Sequence, residues 1–285
     1  MQSFNERLVL MMFETKALRV CPENKPFWYT SGTIGPYYIN THYLYGSEKK
    51  ANELLGVIDR EKENKLSCPA ILLQKTLENY YEDPVYKELI DNMCLLIKER
   101  VTLGSIDYIS GGERRDWFFS FVISHLLKKP HLTIYKDRET VLTDSQGARS
   151  GININGSNVL HIADLITLAS SYERAWVPAI EKIGGSIKQS LVVVDRNQGG
   201  CELLEKMGIV SSYMIEINID LFNKALFLGL INNNQYMLLS EYVENPHHSM
   251  KMFLREHPEF IEDSLNADKK TKERAKLCIS KGFYE

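Results

Sequence analysis

Val159-Leu-His-Ile-Ala-Asp-Leu-Ile-Thr-Leu-Ala-Ser-Ser171 sets an apolar, β-branched run directly before an acid and a hydroxyl-rich turn. Such a run reads as a strand that delivers Asp164 to the end of a sheet, where a carboxylate accepts hydrogen bonds from the diol of a sugar. Beyond it, Thr167, Ser170 and Ser171 supply hydroxyls and the free N–H groups of a starting helix, which together cradle an anion. The order acid, then hydroxylated turn, describes a sugar-phosphate site. It equally describes a buried strand and a Ser-capped helix, a pairing common in α/β proteins, so the neighbouring segments decide.

From about residue 106, short apolar runs alternate with amphipathic ones. Residues 106–110, 132–136, 159–164, 191–195 and 212–217 are expected strands. Residues 116–127, 170–183 and 200–207 are expected helices, the second kinked or ended early by Pro178 and the third closed by Gly208. Strand and helix in alternation predict an α/β fold with a mainly parallel sheet flanked by helices, its ligand at the carboxyl ends of the strands. Segments 47–63 and 83–101 also have helical spacing. After 217 the pattern is helical and polar, broken at Asn232-Asn-Asn, Pro246 and Pro258, with a charged run over 268–276 that reads as a solvated helix face. The expected organisation is an N-terminal hood and helical segment over 1–105, a core over 106–217, and a mainly helical C-terminal extension over 218–285.

The 285 residues, 44% hydrophobic and 25% charged, are ordinary for a globular protein, and a net charge of −3 argues against a dedicated binder of nucleic acid or of a membrane surface. Cysteines at 21, 68, 94, 201 and 278 lack C-x-x-C spacing, which fits a reducing compartment better than a disulfide scaffold or a zinc site. The first residues lack the layout of a signal peptide, and no apolar run approaches the roughly 20 residues that span a bilayer. A cytoplasmic location is the expectation.

Two further constellations follow expected strands. In Ser110-Gly-Gly-Glu-Arg-Arg-Asp116 the glycines, Gly112 among them, let backbone amides approach an anion, and Arg114 and Arg115 neutralise it with paired donors. The plainer alternative is a turn and a charged helix start. In Val192-Val-Val-Asp-Arg-Asn-Gln-Gly-Gly200 the planar guanidinium of Arg196 offers the fork that a carboxylate matches bidentately. An ion pair with Asp195 is the alternative there.

These segments resemble the signature of the type I phosphoribosyltransferases, in which an apolar strand, two acids, a Thr and a short phosphate loop bind 5-phosphoribosyl-1-pyrophosphate (PRPP). The first acid of that pair is Ala163 here, and the small glycine-like loop position is Ala169. Within that family the chain is most similar to the orotate phosphoribosyltransferases. Asp195-Arg196 resembles the segment whose arginine meets the acidic base, and Ser31-Gly32 with Gly35-Pro36-Tyr37-Tyr38 resembles the N-terminal arrangement, although Thr30 replaces its lysine. Lys136 matches the basic entrance of the mobile catalytic loop. That loop would be 137–158, where Arg138 and Arg149 stand in for the usual lysines and histidine. The resemblance covers about 17–215 and leaves the last 70 or so residues unexplained.

The resemblance implies a transfer that joins orotate, or another pyrimidine base, to PRPP, giving orotidine monophosphate and pyrophosphate. Asp164 and Lys136 would be the catalytic residues. Thr167, Ala169, Ser170, Ser171, Gly112, Arg114 and Arg115 would bind PRPP, and Arg196, Tyr37, Tyr38 and Ser31 the base. Mg²⁺ would be the cofactor, carried by PRPP rather than by protein ligands. A homodimer is implied, since family members complete each site with the neighbouring subunit's loop; neither nucleic acid nor membrane is an expected partner. The losses at 30, 163 and in the loop also fit a PRPP- or nucleotide-binding regulatory protein with little or no turnover, or a subunit that keeps only the fold.

Overall fold

The computed structural model describes residues 4–149, 151 and 154–283. The chain forms two compact units, Met1–Asn40 with Asn218–Glu285, and Thr41–Ile217.

The first unit opens with α1 (Phe4–Glu14), then β1 (Leu18–Val20), β2 (Phe27–Trp28), β3 (Ile34–Gly35) and β4 (Tyr37–Ile39). β1 pairs with β4 and β2 with β3, both antiparallel.

The second unit begins with three helices, α2 (Glu48–Glu61), α3 (Cys68–Glu82) and α4 (Pro84–Arg100). Ser47 caps α2 by accepting from Lys50 N, and Asp83 caps α4 by accepting from Tyr86 N, with Pro84 in the first turn where its missing N–H costs nothing. The sheet follows as β5 (Tyr108–Gly112), α5 (Trp117–Leu126), β6 (His131–Ile134), β7 (Thr140–Thr143), β8 (Asn158–Ile166), α6 (Val177–Lys182), β9 (Ser186–Asp195), α7 (Gly200–Lys206) and β10 (Val210–Glu216). Its order is β10-β9-β8-β5-β6-β7, parallel throughout except for β7, which returns antiparallel along β6. β5 and β8 are central neighbours, so Gly112 and Asp164 emerge at adjacent strand ends. Leu132, Val159, Val192 and Trp176 belong to one buried apolar cluster.

The chain closes with α8 (Ile219–Phe227), α9 (Asn233–Glu244), α10 (Pro246–Glu256), α11 (Glu259–Asn266) and α12 (Lys269–Ser280), which complete the first unit. Asn232 and Gln235 form a reciprocal capping box on α9. Trp28 donates from Nε1 to Ser264 Oγ at 2.9 Å and stacks on Phe260 with ring centroids 5.5 Å apart, while Arg274 donates to the Trp28 carbonyl at 2.9 Å. The charged run lies on α12, which turns Ala275 and Cys278 inward.

Three differences from the sequence expectation have physical causes. Residues 41–105 group with the sheet rather than with the N-terminus, because α3 and α4 pack on α5; Tyr86 of α4 donates to the carbonyl of Phe118. The C-terminal helices join residues 1–40, since the indole of Trp28 finds its partners there. The expected loop over 137–158 contains β7, a four-residue run with β-branched Thr140, Val141 and Thr143 that pairs with β6, and Ser150, Ile152 and Asn153 of that loop lie outside the described residues. A π-helical turn, Tyr172–Trp176, precedes α6, and Pro178 sits in the first turn of α6. Among the described residues no helix is long and apolar enough to cross a membrane.

Candidate functional site

At the carboxyl ends of β5 and β8 lies a cavity of about 330 Å³, lined by residues 113–116, Lys136, residues 163–172 and Trp176. β8 carries Asp164 to its floor and ends at Ile166, after which the chain turns through Thr167 to Ser171. Ala169 holds φ at +50°, a left-handed conformation that costs an L-residue about 1–2 kcal/mol. Among the described residues, the backbone N–H groups of Thr167, Leu168, Ala169, Ser170 and Ser171 meet no hydrogen-bond acceptor. A left-handed residue beside right-handed ones, with unsatisfied N–H groups, is a concave anion nest. Gly200 lets α7 start against this turn, since a Cβ there would lie 2.8 Å from the Thr167 carbonyl oxygen.

The two sides of the cavity are joined by Asp116, which the sequence reading passed over as the opening of a helix. Its Oδ2 accepts from Gly112 N at 3.0 Å and its Oδ1 from Asp164 N at 2.9 Å, so one carboxylate clamps the ends of both central strands. Burial and the Asp116 charge raise the Asp164 carboxyl well above the usual carboxylate range, with Arg115 opposing them. Beneath, His161 Nδ1 shares a hydrogen bond with Ser110 Oγ at 2.9 Å, and His161 Nε2 lies 3.5 Å from Asp116 Oδ2. Trp176 rests over Gly112, where a Cβ would meet its ring at 2.3 Å. Gly112 is therefore needed for close packing, and its amide is engaged by Asp116 rather than turned to an anion.

Arg114, Arg115 and Lys136 bring positive charge to the same cavity. Arg114 is held by Asp59 of α2. Lys62 lies 3.1 Å from Asp59 and 3.8 Å from Glu113, and Glu113 Oε2 accepts from Lys136 N at 3.1 Å. Lys65 binds Asp137, and Glu139 at 2.8 Å. The connection between α2 and α3 thus supplies two lysines that no local motif announced. Burial, followed by the charges of Arg115 and Arg114, lowers His42 to about 3, which keeps that buried histidine neutral.

The residues expected at the base are distributed differently. Arg196 follows β9, and its N–H reaches the Ile166 carbonyl at 3.0 Å, one residue before Thr167. The Asp195 carboxylate accepts from Asn197 N at 2.8 Å and from Cys201 Sγ at 3.0 Å. Tyr37 is a packing residue, 3% exposed, its ring against Phe222 and edge-on to Tyr242. Tyr38 is half-buried beneath the Arg19 guanidinium, 5.7 Å from the ring centroid. Ser31 is exposed, bonds Thr33 Oγ1 at 2.7 Å and accepts at its carbonyl from Lys281. These last three belong to the first unit, whereas Arg196 belongs to the second.

No family model matches the chain. The orotate phosphoribosyltransferase of Staphylothermus marinus is 24% identical over 248 residues, which are 87% of this chain and 98% of that protein. The orotate phosphoribosyltransferase of Sulfolobus acidocaldarius is 31% identical over 93 residues, 32% of this chain, and the match spans under half of that relative's length, 45%. Among solved structures, the Leishmania donovani UMP synthase superposes with a TM-score of 0.55 at 16% identity, over 85% of this chain and 42% of that one. The Francisella tularensis orotate phosphoribosyltransferase gives 0.52 at 15% identity, over 83% and 96%. The fold is that of the type I phosphoribosyltransferases. In sequence the chain is a divergent relative of the orotate phosphoribosyltransferases.

Proposed function

We propose that the protein transfers a 5-phosphoribosyl group from PRPP to orotate, releasing pyrophosphate and forming orotidine monophosphate. The observation that carries this reading is the nest of five unsatisfied N–H groups over residues 167–171, set directly after Asp164 and opposite Arg114, Arg115 and Lys136 in one cavity. Phosphate oxygens match the nest, ribose hydroxyls match Asp164, and the cationic wall matches pyrophosphate. The reacting ribose acquires oxocarbenium character as its bond to pyrophosphate breaks. The chain contributes by holding the sugar in place and aiming positive charge at the leaving group. Arg196, beside the end of β8, would take the carboxylate of orotate through its guanidinium fork. The donor set is one for phosphate oxygens, so Mg²⁺ enters this reading on PRPP, where it would neutralise part of the pyrophosphate charge. A cytoplasmic homodimer completes the proposal.

Ala163, Thr30 and a catalytic loop with only Arg138 and Arg149 favour a second reading, a PRPP- or nucleotide-binding regulator with little turnover. Calorimetric titration with Mg-PRPP, followed by an orotate absorbance assay, separates the two. Binding with turnover supports the transferase, binding alone the regulator, and no binding removes both.

A further inference from the structure

The resembling family places two neighbouring acids at the end of this strand, and here the first position is Ala163. Ala163 is 2% exposed and packs in the apolar cluster with Tyr172 and Trp176, where a carboxylate would be costly. A second carboxylate nevertheless reaches the cavity. Asp116 comes from the start of α5, lines the same cavity as Asp164, and its Oδ1 accepts from the Asp164 backbone N–H at 2.9 Å.

We propose that Asp116 supplies the second carboxylate of the ribose site, in place of the acid absent at Ala163; the proposal rests on the phosphoribosyl reading above. Each Asp116 oxygen accepts one backbone N–H, from Gly112 and from Asp164, which leaves further lone pairs for a donor. A ribose diol has two O–H donors, and two neighbouring carboxylates receive them while Asp116 keeps its bonds to both strand ends. The clamp has a second effect. It fixes the two strand ends to one another, so the ribose acids and the pyrophosphate arginines keep their spacing.

Two adjacent carboxylates hold a proton between them, and sugar binding through both expels it. The charged and titratable groups around the pair are Arg115 and Glu113 from its own loop, His161 on β8, and Tyr172 in the following turn, with Arg114 and Lys136 further along the cavity. Mg-PRPP binding is measured by calorimetry from pH 6 to 9 on the wild type, Asp116→Asn and Asp164→Asn. Both variants are expected to bind at least about ten-fold more weakly, as loss of a charged hydrogen bond does. Wild-type affinity should rise across this range, while in Asp116→Asn the rise should move to lower pH, since burial alone then raises the Asp164 carboxyl, apart from the titration of the phosphates common to both.

Asp116→Asn that binds like the wild type, or that binds weakly with an unchanged pH profile, overturns the assignment and leaves Asp116 a clamp. In that case loss of binding in Asp164→Asn still upholds the phosphoribosyl reading, whereas a wild type that does not bind Mg-PRPP removes that reading itself. Should Asp116→Asn fail to fold, the wild type is titrated at pH 7 in buffers of different protonation enthalpy. Release of about one proton on binding is the expected result, and release of none overturns the proposal.

Discussion

The Asp164 carboxyl is pushed upward by burial and by Asp116, so its ionised form weakens the folded chain while it serves a sugar contact. Because its folded pKa lies above the unfolded value of 3.8, its contribution to stability is complete below about pH 4 and is lost as pH rises through the raised pKa. Asp164→Asn cannot ionise and escapes that loss. Thermal melts should show the variant gaining on the wild type between pH 5 and pH 9, by about 1–3 kcal/mol at the alkaline end, while Mg-PRPP affinity falls. A stability difference that does not change with pH would mean that the carboxyl keeps an ordinary pKa. At Arg196 the discriminating measurement compares two bases. Arg196→Ala should weaken orotate by about ten-fold or more and uracil far less, since only orotate carries a carboxylate; equal losses would move the base elsewhere. Asp164 and the 167–171 turn were legible because strand, acid and hydroxyls are contiguous. Asp116 was not, because its two N–H donors lie on different strands, and neither was the burial of Tyr37, whose neighbours Phe222 and Tyr242 arrive about 200 residues later.

Short connections between elements place much of the charge around the cavity. Lys62 and Lys65 follow α2 with no motif to mark them, yet they reach Glu113 and the turn between β6 and β7. That turn carries Lys136 and Arg138, and Arg138 takes a φ of +67° within it. Lys65→Ala should leave stability nearly unchanged, because exposed pairs contribute little. It should raise the KM for PRPP by about two- to five-fold at low salt, an effect that shrinks as ionic strength increases. A KM unchanged at every salt concentration would separate the turn from pyrophosphate binding. β6, β8 and the second half of β9 were readable as elements because they are mostly buried and run as apolar stretches. β7 was hidden in a polar loop because it is only four residues long and pairs along one side, and α3 because burial along Cys68–Glu82 includes Thr76 and Asn79, which blurs the apolar stripe.

For the whole chain, the grouping of its two termini into one unit was the least legible feature, since it depends on contacts such as Trp28 with Ser264 that no local pattern encodes. The assembly poses the same kind of question. The cavity is lined by Arg114, Arg115 and Lys136, but Arg138 and Arg149 are not among its lining residues. Proteins of the resembling family bring loop cations to a neighbouring subunit's site, and a closed two-fold dimer is the commonest assembly that does so reciprocally. The protein should therefore be a dimer by light scattering at micromolar concentration. A variant lacking both loop arginines, Arg138→Ala with Arg149→Ala, keeps an intact cavity, whereas Asp164→Asn keeps an intact loop. Each alone should turn over orotate poorly. Unfolded together and refolded as a mixture, half of the dimers are mixed, and each mixed dimer holds one site with both an intact cavity and an intact loop. Activity should then recover to about a quarter of the wild-type value. Recovery to no more than the mean of the two parents, in a chain that is dimeric, would mean that each subunit closes its own loop over its own cavity; a monomer would leave the loop without a neighbour to serve.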